Sequence, residues 1–436
     1  MNIRSTSLLS LSFAVGLASC GQAGSSLPGT PGANPVTQSA PVRASVLPAI
    51  TVNWPQQGMN PAHTGYNAHE TTLGAGNVGG LTQLWSFPTG GQIMAPVLLQ
   101  NGVAYVNSGD GYLYALNATT GAQLWKFQTY EGAGSQTNPV ISGAHVFVPC
   151  LVGDSTQQNG ICALKLANGS LAWSFYADCN CLPPAAVSEA PVVSGTTLLL
   201  PYYFPGGFQL IALGTSSGGT VLWTYVYPGG NSGGPSPSAP AIDGNSAYIG
   251  EGYNDAVCSL ALSNGAVNWC TPTGDSINAP AVWKGVVYAN TYSHGVFAFN
   301  ASSGAQLWQY TPTAGNYSGQ DDPPAIANGK VFVAGVGFSG NLYALKASSG
   351  ALIYHTSGGT GGIANTYSSP SIANGVAYVE CQTGVCAFNA KNGKLLFTPN
   401  GTTSSQSSPA VLNGVLYDTC GPNAMCAYSL PANRTR

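Results

Sequence analysis

A closed propeller of eight four-stranded blades is the fold this sequence predicts. Three observations lead there. One motif returns eight times, with a spacing of about 40–50 residues, the length of a propeller blade. Its fullest copy runs from Ala95-Pro96-Val97 through Asn101-Gly102-Val103-Ala104-Tyr105 to Leu113-Tyr114-Ala115-Leu116 and Gly121-Ala122-Gln123-Leu124-Trp125. Two anchors also count the units independently, and the two series are out of phase.

The first anchor is a proline that opens each unit: Pro96, Pro139, Pro191, Pro240, Pro280, Pro324, Pro370 and Pro409. The second is an aromatic residue late in each unit: Trp85, Trp125, Trp173, Trp223, Trp269, Trp308, Tyr354 and Phe397. Trp85 precedes the first proline, and no such aromatic follows the last. The Trp85 strand is therefore expected to complete the blade that Pro409 begins, which closes the ring and removes its open edge.

Within a unit the strands follow in order. The proline leads the first. The second follows an Asn-Gly or similar turn, as in Val286-Val287-Tyr288 or Val376-Ala377-Tyr378-Val379. The third is the Leu-Tyr-Ala-Leu run and the fourth the Leu-Trp run. Hairpin chemistry joins them: Asp110-Gly111, Gly340-Asn341 and Thr383-Gly384 between strands two and three, and Thr120-Gly121, Asn264-Gly265, Ser303-Gly304 and Asn392-Gly393 between three and four. Apolar residues on both faces of strand three suit sheets stacked between sheets. One large aromatic per blade at a fixed place reads as packing between blades.

The ends carry other signals. Arg4 followed by the apolar run Leu8–Ala18 reads as an export signal, too short to span a bilayer as a helix. It ends Leu17-Ala18-Ser19-Cys20, which resembles a bacterial lipobox and implies cleavage after residue 19 and lipid on Cys20. Residues 20–48 are then the lipidated cysteine and a Gly/Ser/Pro tether with a reach on the order of 30 Å. The propeller is expected over 49–430, with a short tail at 431–436. The lipid would be the only membrane attachment, and outer-membrane placement in a bacterial envelope follows, the Cys20-Gly21 pair lacking the Asp that signals inner-membrane retention.

Charged residues make up 6% of the chain, against about 25% in an ordinary soluble domain. The net charge is −3, or −4 without Arg4. This argues against nucleic acid and against electrostatically steered partners. A surface of Ser, Thr, Asn, Gln, Gly and Tyr suits an envelope protein, or a neutral polymer or carbohydrate bound by hydrogen bonds and stacking. Tyr202, Tyr203, Tyr225, Tyr227 and Tyr317 are the tyrosines that would serve a carbohydrate-binding or adhesion surface. A monomer is expected.

Besides Cys20 there are ten cysteines, an even number that suits an oxidising compartment. Four pairs fall on neighbouring strands of one blade: Cys150 with Cys162, Cys258 with Cys270, Cys381 with Cys386, and Cys420 with Cys426. Cys179 and Cys181 are left to pair with each other; with no histidine or further cysteine pair nearby in sequence, zinc is the weaker reading.

The string Ala-Leu-Asn-Ala-Thr-Thr-Gly-Ala-Gln-Leu-Trp at 115–125, repeated at 298–308, 344–354 and 387–397, resembles the tryptophan-docking repeat of the pyrroloquinoline-quinone (PQQ) family. The stretch from Trp54-Pro55 through Thr64-Gly65 and Glu70-Thr71-Thr72-Leu73 to Leu84-Trp85 looks like the lead-in of its secreted members. The resemblance implies an eight-bladed, quinoprotein-like propeller. A catalytic member would hold PQQ, usually with Ca²⁺ and a basic side chain, and use a carboxylate base. This chain departs from that pattern. It has no arginine between Arg43 and Arg434, and most of its lysines lie at or near turns. Glu189, Asp321 and Asp322, just ahead of first strands, are the carboxylates placed to face the channel; Glu251 and Asp255 are the other possible bases. The repeat also carries Asn117, Lys165, Asn300, Lys346 and Asn389 where the family usually has Asp, which is expected to change bonding between blades.

A second resemblance is to the BamB-type lipoprotein propellers of outer-membrane assembly, in lipobox, tether and size. It implies a lipid-anchored scaffold without catalysis. The expectation is accordingly a binding scaffold with no catalytic residue, no metal and no cofactor. A PQQ- and Ca²⁺-dependent dehydrogenase stands as the alternative.

Overall fold

The computed structural model describes residues 52–130, 138–152, 158–177, 186–204, 207–228, 238–251, 255–291, 294–312, 322–335, 341–356, 368–381, 384–399 and 407–431. They form eight antiparallel four-stranded blades; Tyr66–Asn67 adds a short parallel strand to the inner edge of blade 7, and Ala186–Val187 pairs beside the inner strand of blade 3. Blade 1 is typical: Leu98–Gln100, Val103–Ser108, Tyr112–Asn117 and Gln123–Gln128, ordered from the axis outward. The inner strands of blades 2 to 8 are Val140–Ser142, Val192–Ser194, Ala241–Asp243, Ala281–Trp283, Ala325–Ala327, Ser371–Ala373 and Ala410–Leu412. Proline begins each inner strand because that strand is an edge, where a missing N–H leaves no ladder bond unmade.

Blade 8 takes its outer strand from the other end of the propeller. Thr82–Pro88 pairs antiparallel with Ala424–Ser429, setting Trp85 opposite Ala427. The ring therefore closes with strands from both ends of the chain.

The core lies between blades. Strands one to three are buried, while the outer strand alternates; Leu124, Leu222 and Leu307, each beside a tryptophan, are about half exposed. Each outer strand carries one extra residue at that place. In blade 1, Ala115 faces Trp125 and Leu116 faces Gln123, so Leu124 is bulged out; the shift recurs in all eight blades. A bulge twists its strand and re-aims the next side chain, here toward the following blade.

The aromatic then docks on the strand three–four turn of that blade. Trp85 Nε1 donates to the Ala118 carbonyl at 3.0 Å, Trp125 to Leu166 at 3.1 Å, Trp223 to Leu262 at 2.8 Å, Trp269 to Ala301 at 3.0 Å and Trp308 to Ala347 at 2.9 Å. The ring covers a turn glycine. Gly121 has φ +72°, and a Cβ there would sit 2.7 Å from the Trp85 ring. Trp173 covers Gly219 in the longer turn of blade 3, but its indole N–H finds no partner among the described residues.

The Asn residues in place of the family's Asp act locally. Asn117 Oδ1 accepts from the N–H groups of Thr119 and Thr120, and Asn300 Oδ1 does the same for Ser302 and Ser303. These bonds cap their own turns and do not reach a neighbouring blade. Cys150–Cys162, Cys258–Cys270, Cys381–Cys386 and Cys420–Cys426 are bonded, with Cα–Cα distances of 5.8, 4.1, 5.7 and 5.6 Å. Cys20, Cys179 and Cys181 lie outside the described residues.

Candidate functional site

The lead-in, residues 54–67, runs around the axis inside the ring. It meets the middle residue of each inner strand in blade order. Leu99 N–H donates to the Trp54 carbonyl (2.9 Å), Ile141 to Pro55 (2.7 Å), Ile242 to Pro61 (2.7 Å), Val282 to Ala62 (2.8 Å), Ile326 to Thr64 (2.7 Å) and Ile372 to Gly65 (2.7 Å). At blade 3 a side chain substitutes: Gln56 Oε1 accepts from Val193 N–H at 3.1 Å while its Nε2 donates to Val193 O at 3.3 Å. At blade 8, Asn67 Nδ2 donates to the Val411 carbonyl at 2.8 Å. Buried Glu70 accepts from Thr72, Leu73 and Gly414 N–H groups, which fixes the end of the lead-in to blade 8.

The other side of this segment is the channel mouth where inner strands begin. Two residues ahead of the blade prolines stand Glu189, Ser238, Asn278, Asp322, Ser368 and Ser407. Gln57 reaches them from the lead-in. Its Nε2 donates to Asp322 Oδ1 at 2.5 Å, and its Oε1 accepts from Asn138 Nδ2 at 3.0 Å. Asn138 is on blade 2 and Asp322 on blade 6, opposite each other in a ring of eight, so one amide spans the mouth. Ser238 Oγ accepts from Gly250 N–H and Ser408 Oγ from Ser369 N–H, both at 2.9 Å. Asn278, Ser368 and Ser369 are each 3% exposed, and Asn278 Nδ2 and both serine Oγ atoms have no partner among the described residues.

Of the sequence-predicted carboxylates, Asp322 belongs to this amide bridge. Glu189 stands three blades away, close enough to buried Tyr227 to help push its hydroxyl pKa up, after burial itself. Asp321 lies outside the described residues. Glu251 is buried and accepts from Tyr225 Oη. Its carboxylate lies within 4.8 Å of the Cys258 and Cys270 sulfurs, but those are joined in a disulfide and offer no thiolate to a metal. The tyrosines do not form the open cluster their sequence suggests. Tyr202 and Tyr227 are buried, and the Tyr202 hydroxyl donates to the Asn159 carbonyl. Tyr317 is outside the described residues.

The lysines are elsewhere. Lys126 lies over the Tyr112 ring at 4.1 Å, Lys284 over Trp283 at 4.5 Å, and Lys330 Nζ donates to the Ala390 carbonyl. Lys165, Lys346, Lys391 and Lys394 belong to strand three–four hairpins, whose turns lie at the opposite face.

Two titratable features escape the sequence. His63 is fully buried in the lead-in and its Nδ1–H donates to the Pro280 carbonyl; burial lowers its pKa to about 4. Asp418 and Glu380, on second strands of blades 8 and 7, are buried together beside Ser407 and Thr419. Burial raises the Asp418 pKa to about 7, so this acid holds its proton where a free one would not.

The fold and its docked tryptophans define a quinoprotein-like eight-bladed propeller. The model of one such family, described as outer membrane protein assembly factor BamB, matches residues 77–310 and 294–431, and the chain belongs to that family. It is similar to the tetrathionate hydrolase of Acidithiobacillus ferrooxidans, 27% identical over 269 residues that cover 57% of this chain and 51% of that protein. It is also similar to the BamB of Yersinia pestis, 26% identical over 220 residues, 46% of this chain and 52% of that one. The chain thus spans about half the length of these relatives. Among solved structures, the quinohemoprotein alcohol dehydrogenase of Comamonas testosteroni aligns with a TM-score of 0.69 at 13% identity, covering 88% of this chain and 81% of that one. BamB from Moraxella catarrhalis aligns with a TM-score of 0.57 at 18% identity, covering 80% and 99%. At such identities these two show the fold alone.

Proposed function

We propose that this chain is an exported, lipid-anchored protein of the bacterial envelope that works by binding and not by catalysis. Its ligand is an envelope protein or a hydroxyl-rich neutral polymer, taken at the channel mouth. The carrying observation is the chemistry of that mouth. Carboxylates, amides and hydroxyls surround it, with spare donors on Asn278, Ser368 and Ser369. Such a set suits hydroxyl ligands, where a buried donor left unmade costs about 1–3 kcal/mol.

The same chemistry does not fit PQQ. A tricarboxylate needs cationic partners, and the described lysines lie elsewhere, with no arginine between Arg43 and Arg434. Ca²⁺ takes 6–8 oxygen ligands, whereas Asp322 is bonded to Gln57 and Glu189 stands three blades away. No quinone step is therefore assigned. BamB relatives support the envelope placement, and the lipobox resemblance supports the anchor.

A hydrolase is the second reading, favoured by one observation: Gln57 holds the Asp322 carboxylate at the mouth of a chain similar to a tetrathionate hydrolase. A photo-crosslinking residue separates the two. Placed at 189, at the mouth, it should capture a discrete partner in native envelopes; at 284, on the opposite face, it should not. Polythionate hydrolysis abolished by Asp322→Asn would instead establish the hydrolase.

A further inference from the structure

We propose that residues 54–67 are an internal clasp, a conformational device that joins the inner edges of the eight blades and closes the channel from the side opposite the mouth. The proposal is independent of what the mouth binds.

Within its blade an inner strand pairs on one side only, so its other side offers N–H and C=O groups to the channel; at blade 7 Tyr66–Asn67 takes that side as a short parallel strand. The same position in every blade is met: Leu99, Ile141, Val193, Ile242, Val282, Ile326 and Ile372 donate, and Val411 accepts. A bond at the same position of every blade, in blade order, is the pattern of a closure and not of a loop that happens to lie nearby.

The composition of the segment fits this task. It acts toward the blades mostly as an acceptor, so Pro55 and Pro61 can contribute carbonyls without leaving a donor of their own unpaired. The circle is tight. Gly58, Met59, His63 and Gly65 all have positive φ, and Gly65 N–H returns to the Gly58 carbonyl at 2.9 Å. Only glycine fits at 65, where a Cβ would come within 2.8 Å of both Ala325 Cβ and the Pro370 carbonyl. Gln56 imitates a strand residue, giving Val193 both an acceptor and a donor from one amide.

The consequence is cooperativity. Blade-to-blade contact is otherwise made through stacked sheets and docked aromatics, each between two neighbours. The clasp touches all eight, so loosening it at one blade should be felt at others.

Residue-resolved amide exchange on the full chain tests this. The seven donors should exchange far more slowly than free edge amides. Gln56→Ala should speed exchange at Val193 at least tenfold and leave Leu99 little changed. Gly65→Ala should speed Ile326 and Ile372 together and lower the melting temperature of the whole ring. Fast exchange of the seven amides in the unaltered chain would overturn the proposal. So would Val193 protection that survives Gln56→Ala, a variant that removes two side-chain bonds and leaves the propeller strands untouched.

Discussion

The amino-terminal part of this chain closes the ring at two radii, and the two closures are built differently. The outer one, Thr82–Pro88, is a strand with a full ladder to Ala424–Ser429 and a tryptophan docked on the next blade. The inner one, residues 54–67, pairs as a strand only over Tyr66–Asn67 beside blade 7 and otherwise meets each blade through a few separate hydrogen bonds. The outer closure concentrates its stabilisation in one sheet and one interface; the inner closure spreads single hydrogen bonds, each worth about 1 kcal/mol net, over the whole ring. A propeller can thus be locked locally at its rim and globally at its axis.

Breaking the rim should have the largest effect. Deletion of residues 80–88 is expected to abolish the cooperative melt, because blade 8 loses its outer strand and blade 1 its docking partner. Trp85→Ala keeps the strand and removes only the docking, so calorimetry should show a loss of about 3–5 kcal/mol. Gly121→Ala attacks the same dock from the other side. The added Cβ meets the Trp85 ring at 2.7 Å on a backbone with φ +72°, and about 1–3 kcal/mol should be lost.

Acid sharpens the contrast between axis and rim. His63, on the clasp, has its pKa lowered to about 4, so its contribution is present above pH 6.5 and lost as pH falls through 4, a cost of about 3 kcal/mol. Asp418, in blade 8, has its pKa raised to about 7 and works the opposite way. Its contribution is present below pH 4 and lost as pH rises through 7. The two act in opposite directions between pH 4 and pH 7, and denaturant unfolding of the variants at both pH values separates them. His63→Asn, which also tolerates positive φ, should make the protein more stable at pH 4 than at pH 7. Asp418→Asn should do the reverse. Removal of the tether, residues 21–48, is the smallest perturbation and should leave the melting temperature within a few degrees.

The difference between the closures also explains what could be read in advance. Trp85 belongs to a series of eight aromatics, so its strand could be assigned to the Pro409 blade from counting alone. The clasp repeats nothing. Pro55, Gly58, Pro61 and Gly65 read as loop residues, and bonding through backbone carbonyls leaves no periodic trace in side chains. The bulge at Leu124 was hidden for a related reason: Leu-Trp looks like ordinary alternation until register is known. At the mouth, Asp322 was legible from its place before Pro324, but Gln57 was not, because it comes from 265 residues away. Tyr202 and Tyr227 looked available because tyrosine suits surface and core alike. The Asp418–Glu380 pair had no signal beyond an acidic residue near a cysteine in two second strands.

The most direct measurement is a titration of residues 47–436, purified under oxidising conditions, with PQQ in the presence and absence of Ca²⁺. Tryptophan fluorescence and the melting temperature report binding. A channel filled by its own clasp, with a mouth of carboxylates, amides and hydroxyls, should give no saturable response and no rise in melting temperature. Saturation at micromolar PQQ would contradict the binding-scaffold function and make this propeller a quinoprotein.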